Sequence, residues 1–126
     1  MGKLTTHVLD TAHGCPAAGM TVTLYRMDRA TLTAATAATA ATALATITLN
    51  ADGRADAPLL DGAQFQPGRY RLVFSVAAYF RDRGVTLDEP AFLDQVPVDF
   101  GLARMGQHYH VPLLVSPFAY STYRGS

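Results

Sequence analysis

The chain has 126 residues and carries ten basic and ten acidic side chains, which leave a formal net charge of zero at pH 7. This length predicts one domain over residues 1–126, with a single core that buries about two-thirds of the surface of the unfolded chain. The balanced charge favours neither nucleic acid nor an anionic membrane as a partner, and a charged content of only 16% favours a homo-oligomer over a monomer.

The N-terminal residues and the cysteine content exclude further classes of protein. The first residues contain no apolar stretch of the secretory type, and no apolar run approaches membrane-spanning length. We therefore expect a cytoplasmic location. The single cysteine, Cys15, excludes an intrachain disulfide and a zinc-ribbon framework.

Short segments of alternating polarity run through the chain and predict strands. In one of them Tyr70, Leu72 and Phe74 share a face, and Arg69 and Arg71 lie on the other. The predicted strands cover residues 4–10, 21–27, 44–49, 68–76, 96–102, 108–115 and 119–123. Short strands separated by turns that are rich in Gly and Pro are typical of a β-sandwich or barrel.

Two segments depart from the strand pattern. Residues 77–83 combine aromatic and charged side chains and precede Gly84, which predicts a short helix with a glycine at its C-terminal end. Residues 31–43 repeat Ala-Ala-Thr and lack the large side chains that anchor a core. We expect this segment to be an elongated loop or an irregular strand edge on the surface, without a catalytic role.

The four histidines differ in what their positions predict. His7 lies mid-strand, where a histidine is more often a structural, hydrogen-bonded residue than a catalyst. His108 and His110 point to the same side of one strand because side chains alternate with period two. They indicate either an acid–base pair near neutral pH or, with His7, three ligands of a metal. His13 lies in a turn, where we expect exposure to solvent and assign no role.

Two further groups carry polar side chains that can bind a ligand. Arg54 follows the turn at residues 50–53, where it is either a solvated arginine or an anchor for an anionic or oxygen-rich planar ligand. The last residues bring together the side chains of Tyr123, Arg124 and Ser126. Such a dense polar cluster predicts that this end of the chain lies inside a site, since termini usually carry little chemistry.

Four motifs, taken together, identify a family. They are LTTHVLDT at residues 4–11, NADGR at 50–54, QHYHVPLLVSP at 107–117 and YSTYRGS at 120–126, and the segments at 67–72 and 78–80 also fit. In these motifs the chain resembles the transthyretin-related 5-hydroxyisourate hydrolases of urate (purine) catabolism. The Ala/Thr-rich stretch at 30–45 departs from the family pattern, because it is longer and more repetitive than the usual loop before the NADG turn.

The resemblance implies a fold, an assembly and a site. The fold is an all-β, transthyretin-like sandwich of two four-stranded sheets with one short helix, assembled as a homotetramer whose active sites lie in the channel between dimers. The site works without a metal or other cofactor, and its implied catalytic residues are His7, Arg54, His110 and Ser126. By the same resemblance His7, Arg54 and Tyr123 contact the substrate, Arg124 orders the tail, and His108 is not one of the catalytic residues.

The implied reaction adds water to a carbonyl of 5-hydroxyisourate and opens its six-membered ring, which gives 2-oxo-4-hydroxy-4-carboxy-5-ureidoimidazoline. Such a step needs a base for water, a group that stabilises an oxyanion, and planar recognition. We expect His7 or His110 to take the proton of water while the other orients water or protonates the leaving nitrogen. Arg54 would stabilise negative charge, and Ser126 would hydrogen-bond to water or an imidazole.

Two alternatives from other classes remain. A transthyretin-like carrier of a small aromatic hormone would use the same channel, but it needs an apolar lining, whereas His7, Arg54 and the polar C-terminal residues favour an enzyme. A metal-binding module would use the histidines and would retain zinc or copper through purification.

Overall fold

Two β-sheets stack face to face around one apolar core in the computed structural model, which describes residues 2–27 and 41–125. One α-helix, α1 (Val76–Asp82), and a single 3-10 turn at Gly62–Gln64 complete the regular structure of these residues. The strands are β1 (Lys3–Asp10), β2 (Cys15–Pro16), β3 (Thr21–Met27), β4 (Ala41–Thr48), β5 (Leu60–Asp61), β6 (Gly68–Ser75), β7 (Gln95–Leu102), β8 (His108–Val115) and β9 (Tyr120–Thr122).

The first sheet has the order β2-β1-β8-β9, with β5 also paired to β1. Strands β1 and β8 run parallel, and the other pairs are antiparallel. The resemblance implies four strands here and the sheet has five, because the two-residue strands β2 and β5 share one edge of β1. Strand β5 pairs with its beginning and β2 with its end. Pro16 closes β2, since proline has no N–H to continue a ladder.

The second sheet is antiparallel, with the order β4-β3-β6-β7. One of its two inner strands, β6, buries Tyr70, Leu72 and Phe74 at 0–1% exposure, on the face that the alternation predicts. The even-numbered residues of β1 and the odd-numbered residues of β8 pack against them from the first sheet, among them Leu4, Val8, Leu113 and Val115. The prediction of a two-sheet sandwich with one short helix is confirmed, in a transthyretin-like form.

Most predicted strand boundaries agree with the structure to within one residue. The exception is β4, which begins three residues before the predicted strand and ends one residue earlier. The start of β4 takes in residues 41–43 of the Ala/Thr-rich segment, as part of a strand at the end of the sheet order. The rest of that segment, residues 31–40, lies outside the described residues, so the prediction for it stays open.

Helix α1 packs on the first sheet through a buried hydrogen-bond cluster. Tyr79, on the helix, donates its hydroxyl to Oδ2 of Asp10 at 2.8 Å, and Nδ1 of His13 lies 2.6 Å from the same oxygen. Burial alone would raise the pKa of Asp10, but the hydrogen bonds from His13 and Tyr79 outweigh it and hold that pKa below its ordinary value. His13 is exposed, as expected, but it serves this cluster.

The C-terminal end of α1 has the predicted glycine. Gly84 adopts a φ of 85°, which favours glycine, and its N–H donates to the carbonyl of Arg81 at 2.9 Å. At seven residues α1 is short, and the described part of the chain contains no helix that is both long and apolar enough to cross a membrane.

Candidate active site

The outer face of the first sheet carries a row of polar side chains from two neighbouring strands. In the parallel pair of β1 and β8, Thr5 lies opposite His110 and Lys3 lies opposite His108. Because side chains alternate along a strand, these four and His7 share the face that points away from the core. The ring centroids of His7 and His110 are 6.5 Å apart. The sandwich therefore presents the imidazoles of His7, His108 and His110 on an exterior surface, where the strands of the sheet hold them in place.

A tight turn brings Arg54 beside this row. Oδ1 of Asn50 accepts a hydrogen bond from the backbone N–H of Arg54 at 3.2 Å, and Gly53 adopts a φ of 72°. A Cβ on Gly53 would lie 2.5 Å from the carbonyl oxygen of Val8, so the close approach of the turn to β1 requires glycine. The approach ends in a β-bridge between His7 and Arg54.

The C-terminal segment folds back along β8. The N–H of Gly125 donates to the carbonyl of His110 at 2.8 Å, in an isolated β-bridge. The guanidinium of Arg124 lies over the ring of Tyr109, 4.3 Å from its centroid, and donates to Oε1 of Gln107 at 2.9 Å. Arg124 thus anchors the tail against β8, and its ordering role stays a prediction.

These elements enclose a groove of about 550 Å³, lined mainly by Lys3, Thr5, Arg54, Asp56, His108, His110 and Tyr123. Three of the predicted site residues, Arg54, His110 and Tyr123, line it. His7 is not part of this lining and lies next to it, bridged to Arg54. The predicted catalytic residue Ser126 lies outside the described residues, one position after Gly125, which lines the groove.

Burial and positive charge keep the two imidazoles neutral. Partial burial, and then the charge of Arg54, lower the pKa of His7. Burial lowers the pKa of His110 as well, followed by the charge of Arg54 and then by His108 and His7. A neutral imidazole has a free lone pair, so both rings are in the state that a general base requires near neutral pH.

Thr5 and His108 belong to the groove, although the resemblance excludes His108 from the catalytic residues and no expectation named Thr5. Oγ1 of Thr5 lies 2.7 Å from Nε2 of His108 and 2.8 Å from Nδ1 of His110. The alternation places Thr5 on the face of His7, which is visible in the sequence. Its position opposite His110 depends on the register between β1 and β8, which no local pattern reveals.

The three-ligand metal site that the histidines suggested is not assembled. In residues 2–27 and 41–125 no group of three or more His, Cys, Asp or Glu side chains is placed to hold a metal ion. Two of the three imidazoles instead have a ring nitrogen bonded to Thr5. That the reaction needs no metal stays a prediction.

A two-sheet sandwich with imidazoles and a guanidinium in a groove on its outer face defines a class of transthyretin-like proteins with a polar site. The model of the HIUase/Transthyretin family matches residues 4–125, and the chain belongs to this family. Its relatives include the 5-hydroxyisourate hydrolase of Pseudomonas aeruginosa, which is 55% identical over 126 residues, covering 100% of this chain and 93% of the relative.

Solved structures agree with this assignment. The 5-hydroxyisourate hydrolase of Klebsiella pneumoniae is 33% identical, with a TM-score of 0.76 and full coverage of both chains. Sea bream transthyretin in complex with thyroxine is 27% identical, with a TM-score of 0.80, covering 98% of this chain and 94% of the other. The same fold thus occurs in a hydrolase and in a transthyretin that was solved in complex with thyroxine.

Proposed function

We propose that this chain hydrolyses 5-hydroxyisourate, in urate catabolism, at the groove on the outer face of the first sheet. The observation that carries the proposal is the meeting of His110 and Arg54 on one groove, with His7 beside them. The identity of 55% over the whole chain to a protein named 5-hydroxyisourate hydrolase supports the same activity.

The arrangement supplies what ring opening requires. Nδ1 of His110 is bonded to Thr5, so Nε2 is the ring nitrogen that takes a proton from water. The oxygen of that water adds to a ring carbonyl, and the guanidinium of Arg54 stabilises the resulting oxyanion. The ring C–N bond then breaks, and the leaving nitrogen takes a proton. His7, with its ring centroid 6.5 Å from that of His110, is placed to orient the water or to donate this proton.

The remaining residues of the predicted site bind and position the substrate. Tyr123, 61% exposed in the single chain, has its ring free to stack on a planar substrate. Ser126 directly follows Gly125, whose backbone is bonded to His110, and its hydroxyl would bond to water or an imidazole. Arg124 holds this segment against β8.

We propose that the active form is a homotetramer. In one copy the groove faces outward, and the side chains of Arg54, His108 and Tyr123 are exposed. Catalysis of this kind benefits from exclusion of water, which strengthens the interactions of charged groups. A second copy packed over the outer face of the sheet would provide that cover. A cytoplasmic location also stays part of the proposal.

The second candidate is a carrier of a small aromatic molecule, which the match to thyroxine-bound transthyretin favours. A carrier needs an apolar channel, since aromatic ligands are held mainly by apolar contact. The groove instead places the side chains of Lys3, Arg54 and Asp56 and two imidazoles around its volume. The polar lining supports the hydrolase.

The test follows the loss of 5-hydroxyisourate, generated in place by urate oxidase, through its ultraviolet absorbance. The purified protein, treated with a chelator, is expected to accelerate this loss above the spontaneous rate and to yield the ring-opened product. If a folded protein leaves the rate unchanged and binds thyroxine instead, the carrier replaces the hydrolase.

A further inference from the structure

We infer that the hydroxyl of Thr5 joins His108 to His110 and sets the proton position on His110, so that Thr5 and His108 are positioning residues of the site. The inference rests on the proposed function for its kinetic consequence only. Its structural part concerns which nitrogen of His110 carries the proton, and this can be observed without substrate.

The geometry defines two hydrogen bonds that link three side chains. Oγ1 of Thr5 lies 2.7 Å from Nε2 of His108 and 2.8 Å from Nδ1 of His110, both within the range of strong hydrogen bonds. The parallel register holds these atoms together, because Thr5 is directly opposite His110, and His108 precedes His110 by two residues on the same face. Both strands are eight residues long, and their inner faces are buried.

A single hydroxyl restricts the protons of both rings. It has one hydrogen to donate, so when it donates to Nε2 of His108 it can accept only from a protonated Nδ1 of His110. Nε2 of His110 then carries a lone pair, which is the form that takes a proton from water. In the reverse arrangement Thr5 donates to Nδ1 of His110, whose Nε2 then carries a hydrogen and acts as an acid.

One catalytic cycle can use both hydrogen-bond arrangements of Thr5. When Nε2 of His110 takes a proton from water, Nδ1 passes its own proton to Oγ1 of Thr5, and Thr5 passes its hydroxyl proton to Nε2 of His108. The net change moves one proton from water to His108 and leaves His110 neutral, with a hydrogen on Nε2. That hydrogen is then available to the leaving nitrogen, and the reverse shift through Thr5 restores the base.

The surroundings of His110 favour a neutral ring throughout. It is faced by His7 from β1, by Arg54 from the turn and by His108 from its own strand. Among the described residues, Lys3, Asp56 and Tyr123 are the other titratable side chains that line the groove. Arg54 and the neighbouring imidazoles all disfavour a positive charge on His110, so passing the proton on to the exposed His108 avoids an imidazolium beside the guanidinium.

The test compares Thr5→Val with Thr5→Ser. Valine keeps the branched shape that suits a strand and removes the hydroxyl, whereas serine keeps the hydroxyl. Thr23→Val is the matched control, because Thr23 lies in β3 of the other sheet and bonds only to Thr46 among the described residues. His108→Phe removes the other end of the chain while keeping an aromatic ring.

The first readout is the protonation of the His110 ring nitrogens, measured by long-range 1H–15N correlation in the protein without substrate. We expect hydrogen on Nδ1 in the wild type, in Thr5→Ser and in the control. We expect a shift towards hydrogen on Nε2 in Thr5→Val.

The second readout is the separate effect of each substitution on kcat and on KM. We expect kcat to fall about 10- to 100-fold in Thr5→Val and His108→Phe with KM nearly unchanged, a part of the about 10²–10⁴-fold that a positioned acid–base group supplies.

Several results would overturn the inference. They are an unchanged proton position on His110 in Thr5→Val, full kcat in Thr5→Val or in His108→Phe, and a loss in Thr5→Ser as large as that in Thr5→Val. If the wild type fails to open 5-hydroxyisourate at all, the proposed function fails. The inference about His110 is then decided by the nitrogen spectra alone.

Discussion

The backbone of Gly125 lies against the imidazole of His110 so closely that no side chain fits between them. Its N–H donates to the carbonyl of His110 at 2.8 Å, and a Cβ on Gly125 would lie 2.5 Å from Cδ2 of the ring. The glycine of the YRGS ending therefore lets the tail approach the proposed base, and it fixes one side of the space in which that ring can turn.

The first prediction is that Gly125→Ala displaces the His110 ring. Misplacement of a catalytic group by about 1 Å costs about 10²-fold in rate, so kcat should fall towards that extent while the fold persists. Gly106→Ala is the control, since a Cβ there meets nothing within 4 Å. The comparison is made by steady-state kinetics and thermal unfolding, and wild-type turnover in Gly125→Ala would contradict the role of this contact.

The second prediction concerns the acid limb of the pH–rate profile. Arg54 lowers the pKa of both His7 and His110 by its charge, after the effect of burial. Removing the guanidinium in Arg54→Gln raises these pKa values, so the fall in kcat/KM on acidification should begin at a higher pH than in the wild type. The overall kcat should also drop, because Arg54 stabilises the oxyanion.

Arg69→Gln gives the control for charge alone, because Arg69 is an exposed residue of β6 in the other sheet. It should leave the acid limb in place. An Arg54→Gln profile that keeps the wild-type limb would show that the guanidinium does not act on the imidazoles.

The third prediction is that Tyr79→Phe destabilises the fold without changing the chemistry of the groove. The lost hydroxyl leaves the fully buried Asp10 carboxylate with one donor fewer, which should cost about 1–3 kcal/mol of the free energy of unfolding. Urea unfolding at one fixed protein concentration measures this cost. Tyr120→Phe, at an exposed tyrosine, should cost much less, and equal costs would contradict the importance of the Asp10 cluster.

The fourth prediction is that stability falls as the pH drops below about 6.5. The pKa of His110 is lower in the folded chain than its ordinary value of 6.5, so the unfolded chain binds its proton first on acidification. Protonation therefore favours unfolding in the window between 6.5 and the folded pKa. Melting temperatures measured across this range should decline less steeply in His110→Gln, and parallel curves for the two proteins would contradict the lowered pKa.

Local alternation explains how much of the fold could be predicted from the sequence. Strands such as β1 and β6 alternate between buried and more exposed residues, and their bounds agree with prediction to within one residue. The two-residue strands β2 and β5 are too short for any periodicity, so the sequence pattern could reveal neither of them. The repetitive segment 31–43 has no pattern to interpret, and only its last three residues lie in a described strand.

Sequence patterns also could not predict which residues the fold brings together in the site. Arg54 and His110 were identified by resemblance, and the groove brings them together. Thr5 was missed because its importance comes from a register between strands about 100 residues apart in sequence. Pairings of that kind depend on the packing of the whole core rather than on neighbouring residues.

The most direct measurement compares chelator-treated wild type with His110→Gln in the decay of freshly generated 5-hydroxyisourate, at equal concentrations of folded protein. Glutamine keeps a polar side chain of similar reach but cannot accept a proton as imidazole does. The account predicts strong acceleration by the wild type and a rate near the spontaneous one with His110→Gln. Equal acceleration by both proteins would contradict the assignment of this groove as the active site.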